Sequence, residues 1–252
     1  MIIDGRSQDT TGFDSTLIRK LCDRRFGIGS DGLIILQESE KAAFRMRYYN
    51  ADGFEGTMCG NGGRCITAFA RKLELISLET IFEGIDGLHR ASATPNGEIS
   101  LHLKNVNGID LLEDGYHVDT GSPHFVKFVT SLDQIDVTSE GKEIRNQDRF
   151  GSGGVNVNFV EFGDQSNKIS VRTFERGVEA ETYSCGTGVA AAALCSFLHL
   201  KSDLFSYRIH TPGGDLQVSF SNQQQNQYTD IQLTGPAAHV YDGSVEIEHL
   251  IG

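Results

Sequence analysis

Apolar and polar positions along the chain follow two periods, and their order occurs twice. Residues 14–23 place Leu17, Ile18, Leu21 and Cys22 on one face of a short helix capped by Asp14 or Ser15. The Gly-rich turn Gly27-Ile28-Gly29-Ser30-Asp31-Gly32 leads into a strand at 33–36. Across 43–50, Phe44, Met46 and Tyr48 alternate with Arg45, Arg47 and Tyr49, the period of a half-buried strand. A loop, Asn50-Ala51-Asp52-Gly53, precedes MCGNGGRCITAFARKLELI, where Cys65, Ile66, Phe69 and Leu73 have helical spacing from Arg64 onward. Short strand-like runs divided by Gly, Asn and Asp turns continue to about residue 112.

The second half repeats the plan. Strands are predicted at 116–120, 124–129, 154–162 and 168–174, then a turn, Glu175-Arg176-Gly177, and the Ala-rich helix of SCGTGVAAAALCSFLHL. Further strands follow at 206–210, 215–220 and 229–233. A helix as poor in charge as 186–198 must be buried nearly all round, and a curved sheet wrapped about it is the natural container. Each half therefore has many strands and one apolar helix opening on Cys-Gly-x-Gly, the mark of an internal duplication. The expected fold class is α+β: two pseudo-symmetric domains, each a mostly antiparallel curved sheet around a central helix, with the active site in the cleft between them. Composition puts the boundary at Glu113-Asp114-Gly115, giving a first domain of 1–115, rejoined by 237–252, and a second of 116–236.

Composition narrows the function. A formal net charge of −12 without a Lys/Arg cluster argues against nucleic-acid and anionic-membrane partners, though not against a small anionic substrate. No run of about 18 apolar residues predicts a membrane span. Met1-Ile2-Ile3-Asp4-Gly5-Arg6 is too short and too polar for a signal peptide. Five cysteines in 252 residues do not form a disulfide framework, so reduced thiols in a cytoplasm are expected.

The two Cys-Gly-x-Gly segments carry the chemistry. A cysteine at a helix N-terminus has its thiolate stabilised by the macrodipole and unpaired N–H groups, so its pKa can fall below the free value of about 8.5. The bare backbone of Gly60 and Gly186 lets a substrate approach, and the N–H groups that follow can hold a carboxylate. A single cysteine at a helix start is more often a small buried hydrophobe than a catalyst; the recurrence, Cys59 and Cys185, favours catalysis. Inverting a stereocentre needs a base on one side of Cα, an acid on the other, and donors aimed at the carboxylate where charge accumulates. Cys22, Cys65 and Cys195 fall at helix-interior positions and are assigned to packing. No metal-ligand spacing and no cofactor motif is found, so neither a metal nor a cofactor is expected. The turn at 27–32 lacks the Gly-Lys-Ser/Thr ending and following helix of a phosphate loop, and reads as structural.

NADG–MCGNGGRC, TGSPHFV, GVNVNFVE, FERGVEAET–SCGTGVAAAA and VYDG together resemble the diaminopimelate epimerases over essentially the whole chain. The resemblance implies interconversion of LL- and meso-2,6-diaminopimelate, in lysine and peptidoglycan precursor synthesis, without a cofactor. It makes Cys59 and Cys185 the acid/base pair. Gly60, Asn61, Gly186 and Thr187 would hold the reacting carboxylate, Asn50 and Asn156 the distal amino-acid end, and Arg176 the distal carboxylate. Glu175 and His124 would tune the thiols, and Glu175 could also accept from a substrate ammonium. A homodimer in the cytoplasm is the family expectation.

Departures from the family pattern are local. Members usually begin with a strand and a Gly-Asn-Asp-Phe segment whose Asn contacts substrate, whereas this chain opens just after that point, which predicts an unpaired sheet edge. Ser122 stands where many members carry Asn, Asp31-Gly32 where some carry a substrate-contacting Gln, and one extra residue falls within Glu179-Ala180-Glu181. The alternatives are a proline/hydroxyproline racemase-like isomerase, a thiol-disulfide protein, and a non-catalytic binding protein that has kept the cleft. Asn61, Glu175 and Arg176 argue against the first, and the absence of Cys-x-x-Cys against the second.

Overall fold

The computed structural model describes residues 1–224 and 226–247. The chain divides into two compact units, residues 1–101 with the segment from 236 onward, and residues 102–235. The break lies before the predicted 115, because Glu113-Asp114-Gly115 is the turn of a hairpin inside the second unit and not a linker.

The first unit runs β1 (Ile2–Asp4), α1 (Ser15–Cys22), β2 (Gly32–Gln37), β3 (Phe44–Asn50), β4 (Glu55–Gly56), α2 (Gly60–Lys72), β5 (Glu79–Gly84), β6 (Gly87–Ala93) and β7 (Ile99–His102). Its strands lie in the order β1-β2-β3-β5-β6-β7, with β4 on β3. The β1·β2 and β3·β5 pairings are parallel and the others antiparallel.

The second unit begins with β8 (Asp110–Leu112), β9 (Gly115–Asp119), β10 (Pro123–Phe128), α3 (Val137–Arg145) and β11 (Asn156–Phe162). It continues with β12 (Lys168–Glu175), β13 (Ala180–Thr182), α4 (Gly186–Leu200), β14 (Ser206–Thr211), β15 (Gly214–Gln224) and β16 (Gln227–Gly235). Its order is β8-β9-β10-β11-β12-β14-β15-β16, with β13 on β12, and the parallel pairs are β10·β11 and β12·β14. From β10 onward this is the plan of the first unit from β1: the same order and sense of strands, a short helix after the first strand, and the Cys-Gly-x-Gly helix after the short fourth one. The duplication read from one motif is thus carried by the whole topology.

The mostly antiparallel α+β fold class holds, with two corrections of detail. The unpaired edge expected of the first sheet is present among the described residues: β1 pairs with β2 on one side and ends the strand order, whereas its counterpart β10 has β9 beside it. The short helix predicted at 14–23 is α1, while α3 had no counterpart in the sequence pattern. Only Val137 and Ile144 give it large apolar anchors, and Gly141 interrupts it. That glycine is required, since a Cβ there would meet Phe174 Cγ at 2.7 Å on β12. Second, Cys65 is exposed, on the solvent side of α2, and does not pack in a core, whereas Cys22 and Cys195 do.

Alternation in the second sheet decides what each helix meets. Phe125, Val157, Phe159 and Phe174 pack with Val137 and Ile144 of α3. The opposite set, Val126, Val160, Ile169 and Val171, packs with the run Val189–Cys195 of α4, all of it fully buried. His124, Asn158 and Thr173 share the parity of this second set, so they reach the α4 side near its N-terminus. In the first unit, Leu33 and Ile35 of β2 pack with Ile18 and Cys22 of α1. Ile34 and Met46, from the other face, approach Gly62 of α2.

The turn at 27–32 is structural, as expected. The N–H groups of Gly27, Ile28, Gly29 and Ser30 are used by the carbonyls of Asp23, Leu21, Leu21 and Cys22, which closes off the C-terminal end of α1.

Candidate active site

In the first unit Cys59 is the N-cap of α2, with extended backbone, and its Sγ accepts from Gly62 N–H at 3.3 Å. The thiol is exposed. A Cβ at Gly62 would sit tightly, 3.2 Å from that sulfur and 3.1 Å from Met46 Cε. Behind the first turn lies Arg64, buried at 6% exposure. Its Nη2 donates to Asn61 Oδ1 at 2.9 Å and its Nη1 to Gly60 O at 3.3 Å. Its Nε has no partner among the described residues. Burial pulls the guanidinium pKa down, and the charges of Cys65 and Cys59 oppose that shift.

In the second unit Cys185 is the N-cap of α4, but it is buried. Burial, then the Glu175 carboxylate, pushes its thiol up to about 11, against hydrogen bonds from the Thr187 hydroxyl and from Gly188 and Thr187 N–H. The expected depression of the thiol by the helix start is therefore overturned at Cys185: desolvation outweighs the dipole, and the group is a protonated thiol at neutral pH. Thr187 Oγ1 lies 3.5 Å from Cys185 Sγ and 2.9 Å from His124 Nε2. His124 is fully buried, and burial, with the Arg176 and His117 charges, holds it at about 3, so the ring is neutral. Asn158 Nδ2 sits 3.0 Å from His124 Nδ1 and donates to Phe125 O at 3.2 Å, and Asn158 Oδ1 accepts from Thr173 at 3.0 Å.

The remaining predicted residues fall around these two helix starts, each within its own unit. Glu175 ends β12 and accepts from Thr182 Oγ1 at 3.0 Å. Arg176 follows it, and its guanidinium pairs with no carboxylate among the described residues. Asn156 is buried and occupied: it donates to Ser122 Oγ and Pro123 O and accepts from Arg176 N–H at 2.9 Å, so it fixes the backbone from which Arg176 projects. Ser122 thereby keeps a hydrogen bond in place of the usual Asn. Asn50 lies exposed at the end of β3, with its main chain closing the Asn50–Phe54 turn. Gly60 and Gly186 are the first residues of α2 and α4. No group of metal-ligating side chains occurs among the described residues.

Arg64, Asn158 and Thr173 are site residues that pattern reading missed. A signal existed for two of them. Asn158 is a polar residue at a position whose parity faces the apolar α4, and Arg64 is three residues on from Asn61 and buried in a helix whose other cations are at its end.

Comparison with known proteins gives the family and the fold. The family model for diaminopimelate epimerase matches residues 1–109 and 116–240. Relatives named diaminopimelate epimerase include one from Flavobacterium psychrophilum, 46% identical over 97% of this chain and 95% of the relative. Another, from Chlorobaculum tepidum, is 42% identical over 98% and 97%. Among solved structures, a PhzF-family phenazine biosynthesis protein of Bacillus anthracis superposes with a TM-score of 0.70 at 15% identity, over 93% of this chain and 88% of that one. A probable proline racemase of Agrobacterium radiobacter superposes with a TM-score of 0.64 at 16% identity, over 96% and 84%. These two likenesses concern the fold. The paired helix starts and the near-full-length relatives together decide the identity: the chain belongs to the diaminopimelate epimerase family.

Proposed function

We propose that this chain interconverts LL- and meso-2,6-diaminopimelate by moving a proton at one α-carbon, with Cys59 and Cys185 as the acid/base pair and no cofactor. The observation that carries this reading is the repeated unit: a cysteine at the N-cap of a helix, a bare glycine after it, and a polar side chain next. A thiolate at one position removes the α-proton and the thiol at the other delivers a proton to the opposite face, so each turnover leaves the two protonation states exchanged. The carboxylate gains charge as the C–H bond breaks, and the N–H groups and side chains of Gly60, Asn61, Gly186 and Thr187 are the donors for it. Without ligand Cys185 is a buried neutral thiol; which cysteine removes the proton depends on which stereoisomer is bound, since the reaction is reversible. Arg176, without an acidic partner among the described residues, suits the distal carboxylate in bidentate fashion. The same reading includes Asn50 and Asn156 at the distal end, His124 and Glu175 tuning the two thiols, a cytoplasmic setting and a homodimer. Among the described residues no helix is long and apolar enough to cross a membrane.

The test is an assay of the reduced protein with LL-diaminopimelate in D₂O. Formation of the meso isomer with deuterium at one α-carbon is expected. Cys59→Ala and Cys185→Ala should each abolish epimerisation while the ligand still binds. Robust turnover by either variant would sink the two-base scheme, and turnover of proline in place of diaminopimelate would favour a racemase-like substrate.

A further inference from the structure

The residue two places after each cysteine can face a ligand either way. Asn61 carries a carbonyl acceptor and an NH₂ donor, and Thr187 carries lone pairs and one O–H. A carboxylate only accepts, so each side chain helps only if its donor is outward. What lies behind each one settles the direction.

In the first unit Arg64 can only donate, and its Nη2 is 2.9 Å from Asn61 Oδ1. The acceptor is thus engaged from inside and the Asn61 NH₂ is turned away from it. In the second unit the direction follows from a chain of four groups. The carbonyl of Phe125 accepts only, so the Asn158 atom facing it must be the amide nitrogen. That nitrogen also faces His124 Nδ1, which must accept. A neutral imidazole with Nδ1 accepting carries its proton on Nε2, and Nε2–H donates to Thr187 Oγ1. The Thr187 O–H is left to point outward, toward Cys185 and any ligand beside it. The donor from Thr173 to Asn158 Oδ1 closes the network. Gly188, the second glycine of the motif, is the space that Asn158 needs: a Cβ there would collide with Asn158 Oδ1.

We propose that both helix starts are locked as donor-only faces by buried groups behind them, Arg64 acting on Asn61 and Asn158 acting through His124 on Thr187. Arg64 and Asn158 are positioning residues for the carboxylate and do not touch it. The two units reach the same polarity by different chemistry, a guanidinium in one and a tautomer-fixed imidazole in the other. The proposal rests on the diaminopimelate reading for its substrate, but its core, the orientation of the two side chains, does not.

Two measurements test it. A two-bond ¹H–¹⁵N spectrum of the ¹⁵N-labelled full chain, without substrate, should show His124 neutral and protonated on Nε2; an Nδ1-protonated ring would overturn the proposal. This readout is independent of turnover, so an inactive wild type would count against the substrate and leave the lock to stand or fall by the spectrum. Asn158→Asp places an acceptor against Nδ1, inverts the tautomer and turns the Thr187 O–H inward. It should lower kcat/KM by about ten- to a hundredfold, the loss of one hydrogen bond to a charged group. Thr187→Val should lose as much, and the double variant no more than Thr187→Val alone. For the first unit, Arg64→Met combined with Asn61→Ala should be no worse than Asn61→Ala, and Arg64→Lys, which keeps a donor, should recover part of the loss seen with Arg64→Met. Losses that multiply in either cycle would overturn the lock in that unit.

Discussion

The two cysteines share a motif but not an environment, and the difference is measurable. Cys59 is exposed and its sulfur accepts from Gly62 N–H, whereas Cys185 is buried and faces Glu175. Thiolate, not thiol, reacts with alkylating agents, so Cys59 should be modified by iodoacetamide well before Cys185 at neutral pH. Cys65, exposed on the same helix, would confuse the count, and the measurement belongs in a Cys65→Ser background, with peptides resolved by mass spectrometry. The Cys185 rate should climb as pH rises toward its value of about 11, because each unit below that value leaves about tenfold less thiolate. Equal rates for Cys59 and Cys185 at pH 7 would contradict the reading of Cys185 as a neutral thiol in the unliganded protein. The sequence shows both cysteines and their glycines but not this asymmetry. Desolvation of Cys185 arises from the deeply buried α4 and the sheet around it, whereas α2 keeps one face in water.

At the scale of elements, the glycines of the two motifs turn out to do separate jobs. Gly60 and Gly186 leave the backbone open at the first helical position, the job that pattern reading gave them. Gly62 makes room for the Cys59 sulfur and for Met46, and Gly188 for Asn158. Gly188→Ala should therefore cost about 1–3 kcal/mol of stability through overpacking, although alanine is the better helix former. It should also disturb the His124–Thr187 contact. Denaturant midpoints and the His124 ring signals would report both effects. An unchanged midpoint with an intact Nε2–H signal would mean that Asn158 is not confined as described. Strands at 43–50 and 168–174 were legible because their first residues alternate between buried and half-exposed, as Phe44 to Arg47 and Lys168 to Arg172 do. The burial of Tyr49 and Phe174 on the opposite face was not, since it depends on α1 and α3. Helix α3 was not, since its two apolar anchors are seven residues apart and its glycine serves Phe174, a partner far away in sequence.

At the scale of the molecule, the repeat of strand order and sense means that one ancestral unit accounts for both halves, yet they are not equally self-sufficient. The second unit is one continuous stretch, and its two core clusters flank a sheet whose central helix is wholly apolar over Val189–Cys195. The first is discontinuous. The segment from 236 returns to it, where Lys72, near the end of α2, donates to Asp242 at 2.7 Å and lies 3.0 Å from His239. Most of the duplication was legible from a single motif because the motif needs a sheet, a helix and a turn to make sense. The break at 101 was not, because the β8–β9 turn has the composition of a linker. Residues 102–235 expressed alone should fold cooperatively, with native-like far-UV circular dichroism and a single thermal transition, since each apolar face of that sheet is covered from within the stretch. The fragment keeps Cys185, His124, Asn158 and Thr187, so its His124 ring should retain the Nε2–H signal of the whole chain. It lacks Cys59, so it should show no epimerisation of LL-diaminopimelate. A fragment without a cooperative transition would mean that the second core is not self-sufficient, and a folded fragment that epimerises would show that one thiol is enough.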